Sequence, residues 1–156
     1  MPNLKAIQSF RFFFFAFLKQ NFAPLRLNNC TTMEIAIIAH DGKKADMVQF
    51  INKNKHLLER ENIKLIATGT TGSKVEAVGI KVKKMLSGPL GGDAQIAARV
   101  AEGKTKMVLF FKDPNSSHAH EADINMLIRI CDVHNVPLAT NEATAQLLLL
   151  GLDEKK

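Results

Sequence analysis

The run Thr68-Gly69-Thr70-Thr71-Gly72 sets three hydroxyls and two glycines immediately before a stretch of helical periodicity. The first amide N–H groups of a helix have no acceptor one turn back. With hydroxyls beside them they can surround a phosphate, and the glycines let the anion approach the main chain. The run is neither a Gly-Lys-Ser/Thr nucleotide loop nor a GxGxxG dinucleotide turn. Glycine-rich strand-to-helix turns are also common without a ligand, so the phosphate reading needs a counter-charge. Lys44 is the candidate, although Lys43 and Lys44 together equally fit a solvated helix face.

A second loop, Ser87-Gly88-Pro89-Leu90-Gly91-Gly92-Asp93, holds four glycine or proline residues in seven. Such a segment is costly to order, which points to a loop that shapes a site. Asp93 at its end has two readings: an N-cap for the following helix, or a carboxylate that abstracts a proton. His118-x-His120 with Asp123, and His40-Asp41, carry imidazole and carboxylate groups that suit a metal. They lack the i,i+4 spacing of a helical zinc site, and loop histidines are more often simply exposed, so no metal and no cofactor is expected. Ser116-Ser117 has no nucleophile elbow around it.

These residues need a scaffold, and the spacing of β-branched runs and helical periodicities supplies one. Strands are predicted over Glu34–Ala39, Ile63–Ala67, Ile80–Leu86, Lys106–Phe111 and Val136–Ala139, with helical apolar stripes between them. That alternation predicts an α/β fold of three layers, a five-stranded parallel sheet flanked by helices with right-handed crossovers. Nearly every polar or glycine-rich break follows a strand. All of them therefore meet at the carboxyl edge of the sheet, where ligands bind in this architecture.

Composition narrows the class. The chain has 156 residues, enough for one domain with a sizeable core. Its net charge of +6 comes mostly from residues 1–32, which hold Lys5, Arg11, Lys19 and Arg26 and no acid; 17 basic residues then face 15 acidic ones from Met33 onward. Nothing in the body forms the basic block that nucleic-acid binding requires. Seven of the ten phenylalanines precede residue 23, but the apolar run Phe12 to Leu18 is far short of the roughly 20 residues of a membrane span. Residues 1–32 read as a leader that is disordered or not translated, Met33 being the expected start, with an amphipathic surface anchor as the alternative. Two cysteines make no disulfide scaffold, which suits the cytoplasm.

Taken in order, Ala39-His40-Asp41 with Lys44, Ala67 to Gly72, Ser87 to Asp93, Phe110-Phe111-x-Asp113-Pro114, His120-x-x-Asp123 and Pro137-Leu138-Ala139-Thr140-Asn141 resemble the methylglyoxal synthase family over about Met33 to Glu154. The resemblance implies a Rossmann-like, methylglyoxal synthase-like fold. It implies a homohexameric lyase converting dihydroxyacetone phosphate to methylglyoxal and inorganic phosphate, the phosphate being product and candidate inhibitor. In that frame Asp93 is the catalytic base and His120 a proton shuttle. His40, Lys44, Thr68, Gly69, Thr70, Thr71, Ser87, Gly88 and His120 bind substrate, and Asp41, Asp113 and Asp123 support them. The fold also resembles the regulatory module at the end of carbamoyl phosphate synthetases, so a non-catalytic phosphate-ligand-binding module is the alternative. The joint presence of Asp93, His120, Asp123 and His40 argues for the enzyme. Ala119 and Ala122 stand where the family commonly has prolines.

Overall fold

The computed structural model describes residues 32–115 and 120–153. The leader reading therefore falls, Thr32 apart, outside the described residues, as do His118 and Ser116-Ser117.

Side chains alternate across a strand, and that alternation builds the layers here. In β1 (Met33–Ala39), Ile35, Ile37 and Ala39 face one apolar cluster while Ala36 and Ile38 face the other; β4 (Thr105–Phe111) divides Met107, Leu109 and Phe111 from Val108 and Phe110 in the same way. With β2 (Ile63–Ala67), β3 (Lys83–Lys84) and β5 (Leu138–Ala139) they form a five-stranded sheet of order β3-β2-β1-β4-β5. All four pairings are parallel.

One face carries α1 (Lys44–Lys53), α2 (Lys55–Leu58), α3 (Gly69–Ala77) and α6 (Glu142–Asp153), which contribute Met47, Phe50, Leu57, Val75, Ala145 and Leu149 to the first cluster. The other face carries α4 (Gly92–Ala101) and α5 (Glu121–Val133), through Ile96, Ala97, Val100, Ile124, Leu127 and Cys131. A sheet buried on both sides explains why its strands are nearly continuous apolar runs. Among the described residues no helix is long and apolar enough to cross a membrane.

Two strands are shorter than predicted. β3 pairs only Lys83 and Lys84 with β2, instead of running from Ile80 to Leu86; Ile80 and Val82 are buried without joining the ladder, and beyond Lys84 the chain turns toward α3. β5 pairs only Leu138 and Ala139, because Pro137 has no N–H to give and serves through its carbonyl, accepting from Val108 N–H at 2.9 Å. β1 and β4 each begin one residue earlier than expected.

Strand order reverses between β1 and β4, since the chain builds outward from β1 first through β2 and β3, then through β4 and β5. The loops after β1 and β4 diverge at that switch point and leave a crevice at the carboxyl edge. His40 follows β1 and Asp113 follows β4; backbone bonds fix the height of both, His40 N–H donating to Phe111 C=O at 3.1 Å and Lys112 N–H to Thr140 C=O at 3.1 Å.

Candidate active site

A cavity of about 210 Å³ opens at this crevice, lined by Ile38, Ala39, His40, Asp41, Lys44, Thr68, Thr70, Ser87, Gly88, Pro89, Asp93, Phe110 and His120. Segments after β1, β2 and β3 and the start of α5 thus meet in one place.

Asp93 is 1% exposed. It does not cap α4: Gly91 is the N-cap, in the left-handed conformation at φ 92°, and Asp93 lies one residue inside the helix. The N-cap expectation is corrected on that point, because glycine takes the left-handed turn without steric cost and leaves the aspartate side chain for the cavity. Asp93 Oδ2 stands 3.4 Å from His120 Nε2, while Oδ1 is buried and has no hydrogen-bond partner among the described residues. Burial pushes the Asp93 carboxyl above the ordinary aspartate value; the nearby His120 opposes this and the charge of Asp123 adds to it. A buried carboxylate with one oxygen uncommitted is a poor stability element and a suitable base.

His120 is placed by α5, whose first helical residue is Glu121. His120 C=O accepts from Asp123 N–H at 3.0 Å and Ile124 N–H at 3.2 Å, while Ile124, Leu127 and Cys131 anchor the helix below. Asp123 does not line the cavity and acts on it through charge.

His40 is buried, with its ring edge-on to Phe110 at a centroid distance of 5.0 Å. Its Nδ1 accepts from Asp113 N–H at 3.0 Å, which assigns the proton of the neutral ring to Nε2. Asp113 is thus a holder of His40 and not a lining residue; its own Oδ1 accepts from Asn115 N–H at 3.0 Å.

Lys44, the first residue of α1, turns into the cavity with its side chain 11% exposed and pairs with exposed Asp41. Lys43 follows the solvated-face reading, bonding Asp46 at 3.0 Å. Lys44 is therefore a cation placed in the same cavity as Thr68 and Thr70.

In that run, Thr68 and Thr71 are buried and their hydroxyls lie 3.2 Å apart, with Thr71 Oγ1 also donating to Ala39 C=O at 3.5 Å. Thr71 holds the turn from below and does not line the cavity. Gly69 donates to Leu86 C=O at 3.0 Å, which leaves the Thr70 and Thr71 amides as the helix-start donors. Thr70 and Ser87 also border a wider, open groove with Gly69, Ser73, Lys74 and Lys84, and Gly69 does not line the cavity itself. Phe110 and Pro89 line the cavity although sequence reasoning assigned them no role; both lie inside the motifs quoted above, and only three-dimensional packing separates them from their neighbours. No group of three or more His, Cys, Asp or Glu side chains able to hold a metal occurs among the described residues.

Residues 46–140 match the family model described as MGS-like domain. The chain is 50% identical over 118 residues to a methylglyoxal synthase of Clostridium botulinum (strain Alaska E43 / Type E3), covering 75% of this chain and 98% of that one. It is 53% identical over 121 residues to a methylglyoxal synthase of Borreliella burgdorferi (strain ZS7), covering 77% and 94%. Among solved structures, the methylglyoxal synthase from Elizabethkingia anophelis NUHP1 superposes with a TM-score of 0.70 at 42% identity, over 75% of this chain and 76% of that one.

Proposed function

The chain belongs to the methylglyoxal synthase family, and on that premise we propose how its residues run the reaction. The protein is an enzyme, a lyase that converts dihydroxyacetone phosphate to methylglyoxal and inorganic phosphate. The non-catalytic module loses its support, because the relatives matched over 98% and 94% of their length are named as the enzyme.

Elimination starts with removal of a proton from the hydroxymethyl carbon beside the ketone. Asp93 takes it: the carboxylate is desolvated, carries a raised pKa and keeps Oδ1 uncommitted. The electron pair left on carbon moves into the ketone and makes an enediolate. His120 donates to the developing oxyanion and shuttles the proton between the two substrate oxygens, with His40 Nε2–H and the Gly88 backbone at the same cavity. One such donor is worth roughly 2.7–4 kcal/mol in comparable sites. The enediolate pair then expels phosphate, breaking the bond between the third carbon and the ester oxygen, and the enol product tautomerises to methylglyoxal. Lys44, Thr68, Thr70 and Ser87 at the cavity, with the Thr71 amide at the helix start, hold the phosphate so that the breaking bond stands out of the enediolate plane, and they take up the leaving charge, while Gly69 and the Thr71 hydroxyl fix the turn behind them. An in-plane phosphate would be retained.

The observation that carries this reading is Asp93, a nearly inaccessible carboxylate with His120 beside Oδ2 and no hydrogen-bond partner on Oδ1 among the described residues. Its test is Asp93→Asn, which folds, still binds a phosphate-bearing inhibitor and loses kcat by at least three orders of magnitude, on the order of what loss of an essential base costs. Wild-type turnover by that variant removes Asp93 as the base.

The finer assignments belong to the same proposal. The enzyme is a cytoplasmic homohexamer: Cys131 is a buried free thiol, and exposed Leu147 and Leu150 on α6 are apolar surface of the kind subunit contacts cover. Inorganic phosphate, the product, inhibits by occupying the cradle. The catalytic domain spans residues 33–156.

A further inference from the structure

The base and the phosphate cradle sit on different helices, and the segment between them is Met85 to Gly88. Leu86 lies in the middle of it with both peptide groups committed. Its C=O accepts from Gly69 N–H, the first residue of α3, at 3.0 Å. Its N–H donates to the side chain of Gln95, on α4, at 2.8 Å. The α4 backbone closes on the same peptide, for a Cβ at Gly92 would collide with Leu86 C=O, and Gly92 N–H donates to Ser87 C=O at 2.9 Å. Leu86 therefore links the helix that opens the cradle to the helix that carries Asp93, its own N–H tied to α4 by the Gln95 side chain and the next carbonyl by the Gly92 backbone.

We infer that Gln95 is a positioning residue for the elimination, holding the Leu86–Gly88 segment at fixed depth against Asp93 and His120. Gln95 does not line the cavity. It is exposed, and so is Leu86, so water can replace the lost acceptor if the glutamine is removed. Stability is then nearly insensitive to Gln95. The geometry is more sensitive: water satisfies the Leu86 N–H but does not tether it to α4, which leaves the tether to backbone bonds such as Gly92 N–H to Ser87 C=O. Gly88 follows two residues later, where its Cα hydrogen side lies against the Asp93–His120 pair, with an added Cβ falling 2.9 Å from His120 Nε2 and 3.1 Å from Asp93 Oδ2. Drift of the segment by a few tenths of an ångström reaches the reacting groups directly, whereas α3 remains anchored through β2. The cost falls on turnover more than on phosphate binding.

The inference rests on Asp93 as the base, and the experiment separates the two. Gln95→Met keeps the length of the side chain and loses the acceptor; Gln95→Glu keeps an Oε acceptor. With dihydroxyacetone phosphate, and methylglyoxal and phosphate release followed together, Gln95→Met is expected to lose about tenfold in kcat with KM within twofold and an unchanged melting temperature, and Gln95→Glu to regain most of that loss. Gln95→Ala gives the same readout if the methionine variant does not fold. Wild-type kcat in Gln95→Met, or equal losses in the methionine and glutamate variants, overturns the positioning role. Asp93→Asn is assayed beside them: if it is inactive while Gln95→Met is unimpaired, only the positioning role fails, and if it turns over normally the base assignment fails and this inference with it.

Discussion

Gly88→Ala tests how tightly the cavity is built. The backbone at Gly88 has a φ that any residue can adopt, so alanine brings no conformational penalty there. What it brings is a methyl group 2.9 Å from His120 Nε2, 3.4 Å from His120 Cδ2 and 3.1 Å from Asp93 Oδ2. An ordinary contact needs about 3.4 Å or more, so the imidazole must retreat by roughly half an ångström, and the Asp93–His120 contact of 3.4 Å opens with it. A misplacement of about 1 Å at a reacting group costs up to 10²-fold, and half of that places the expected loss of kcat at about tenfold to thirtyfold, or ~1.4–2 kcal/mol of barrier. The cradle is untouched, so inorganic phosphate should inhibit at the same concentration as in the wild type. Steady-state turnover, phosphate inhibition and a thermal melt on one preparation decide it. Wild-type kcat in a folded Gly88→Ala would show that neither His120 nor Asp93 has to stay where the structure puts it, and the proposed chemistry would lose its geometry.

Three further outcomes follow from charge. Because Asp123 adds to the upward push on Asp93, Asp123→Asn should move the acid limb of the kcat/KM profile to lower pH, toward the ordinary aspartate value of about 3.9; a limb that stays put removes the coupling. At the opposite edge of the sheet, buried Glu34 bonds Arg99, half of the pair at 2.7 Å, and Thr105 Oγ1 at 2.7 Å. Burial alone would raise the Glu34 pKa, but the Arg99 and Thr105 bonds and the Arg99 charge outweigh it and hold the carboxyl below its usual range. A lowered folded pKa means stability that is complete above about pH 4.5 and lost as pH falls through the folded value. Arg99→Ala should therefore cost about 3 kcal/mol at neutral pH in urea unfolding, the low end for a broken buried pair because the guanidinium keeps some water contact. Glu34→Gln should flatten the acid end of the stability curve, and an unchanged acid limb would refute the assignment.

Much of this was legible in the sequence, for identifiable reasons. The placement of glycine and hydroxyl residues after β-branched runs is enough to locate the carboxyl edge, because a parallel sheet forces all such breaks to one side. The alternation within β1 is not enough to say which face is which: Ile35 to Ala39 are all apolar, and only the helices above and below divide them. Edge strands were overextended because β-branched residues such as Ile80 and Val82 are buried without being paired. Asp93 has two readings because a helix start and a cavity wall coincide there; a single glycine at φ 92° takes the N-cap place and removes one of them, and a dihedral angle is not written in the residue order. The Asp93–His120 pair spans 27 positions and depends on α4 and α5 packing on one sheet face. Gln95 was invisible, since a glutamine on an exposed helix face looks like any solvated side chain until its partner is found to be a loop amide.

Among the described residues two carboxylates are buried, Glu34 in β1 and Asp93 in α4, and their surroundings are opposite. Glu34 has a guanidinium and a hydroxyl on its oxygens, and its pKa is lowered. Asp93 has comparable burial, a histidine at 3.4 Å, no partner on Oδ1 among the described residues, and a raised pKa. Folding could satisfy Asp93 as it satisfies Glu34, but a carboxylate so stabilised would be a weaker base, because every hydrogen bond to the charged form lowers its proton affinity. A raised folded pKa means that the charged carboxylate opposes folding at neutral pH, so that Asp93→Asn should melt no lower than the wild type at pH 8 and relatively lower as the pH falls toward 4. The proton affinity that removes stability at this position is the same quantity that the proposed base needs in order to take a proton from carbon.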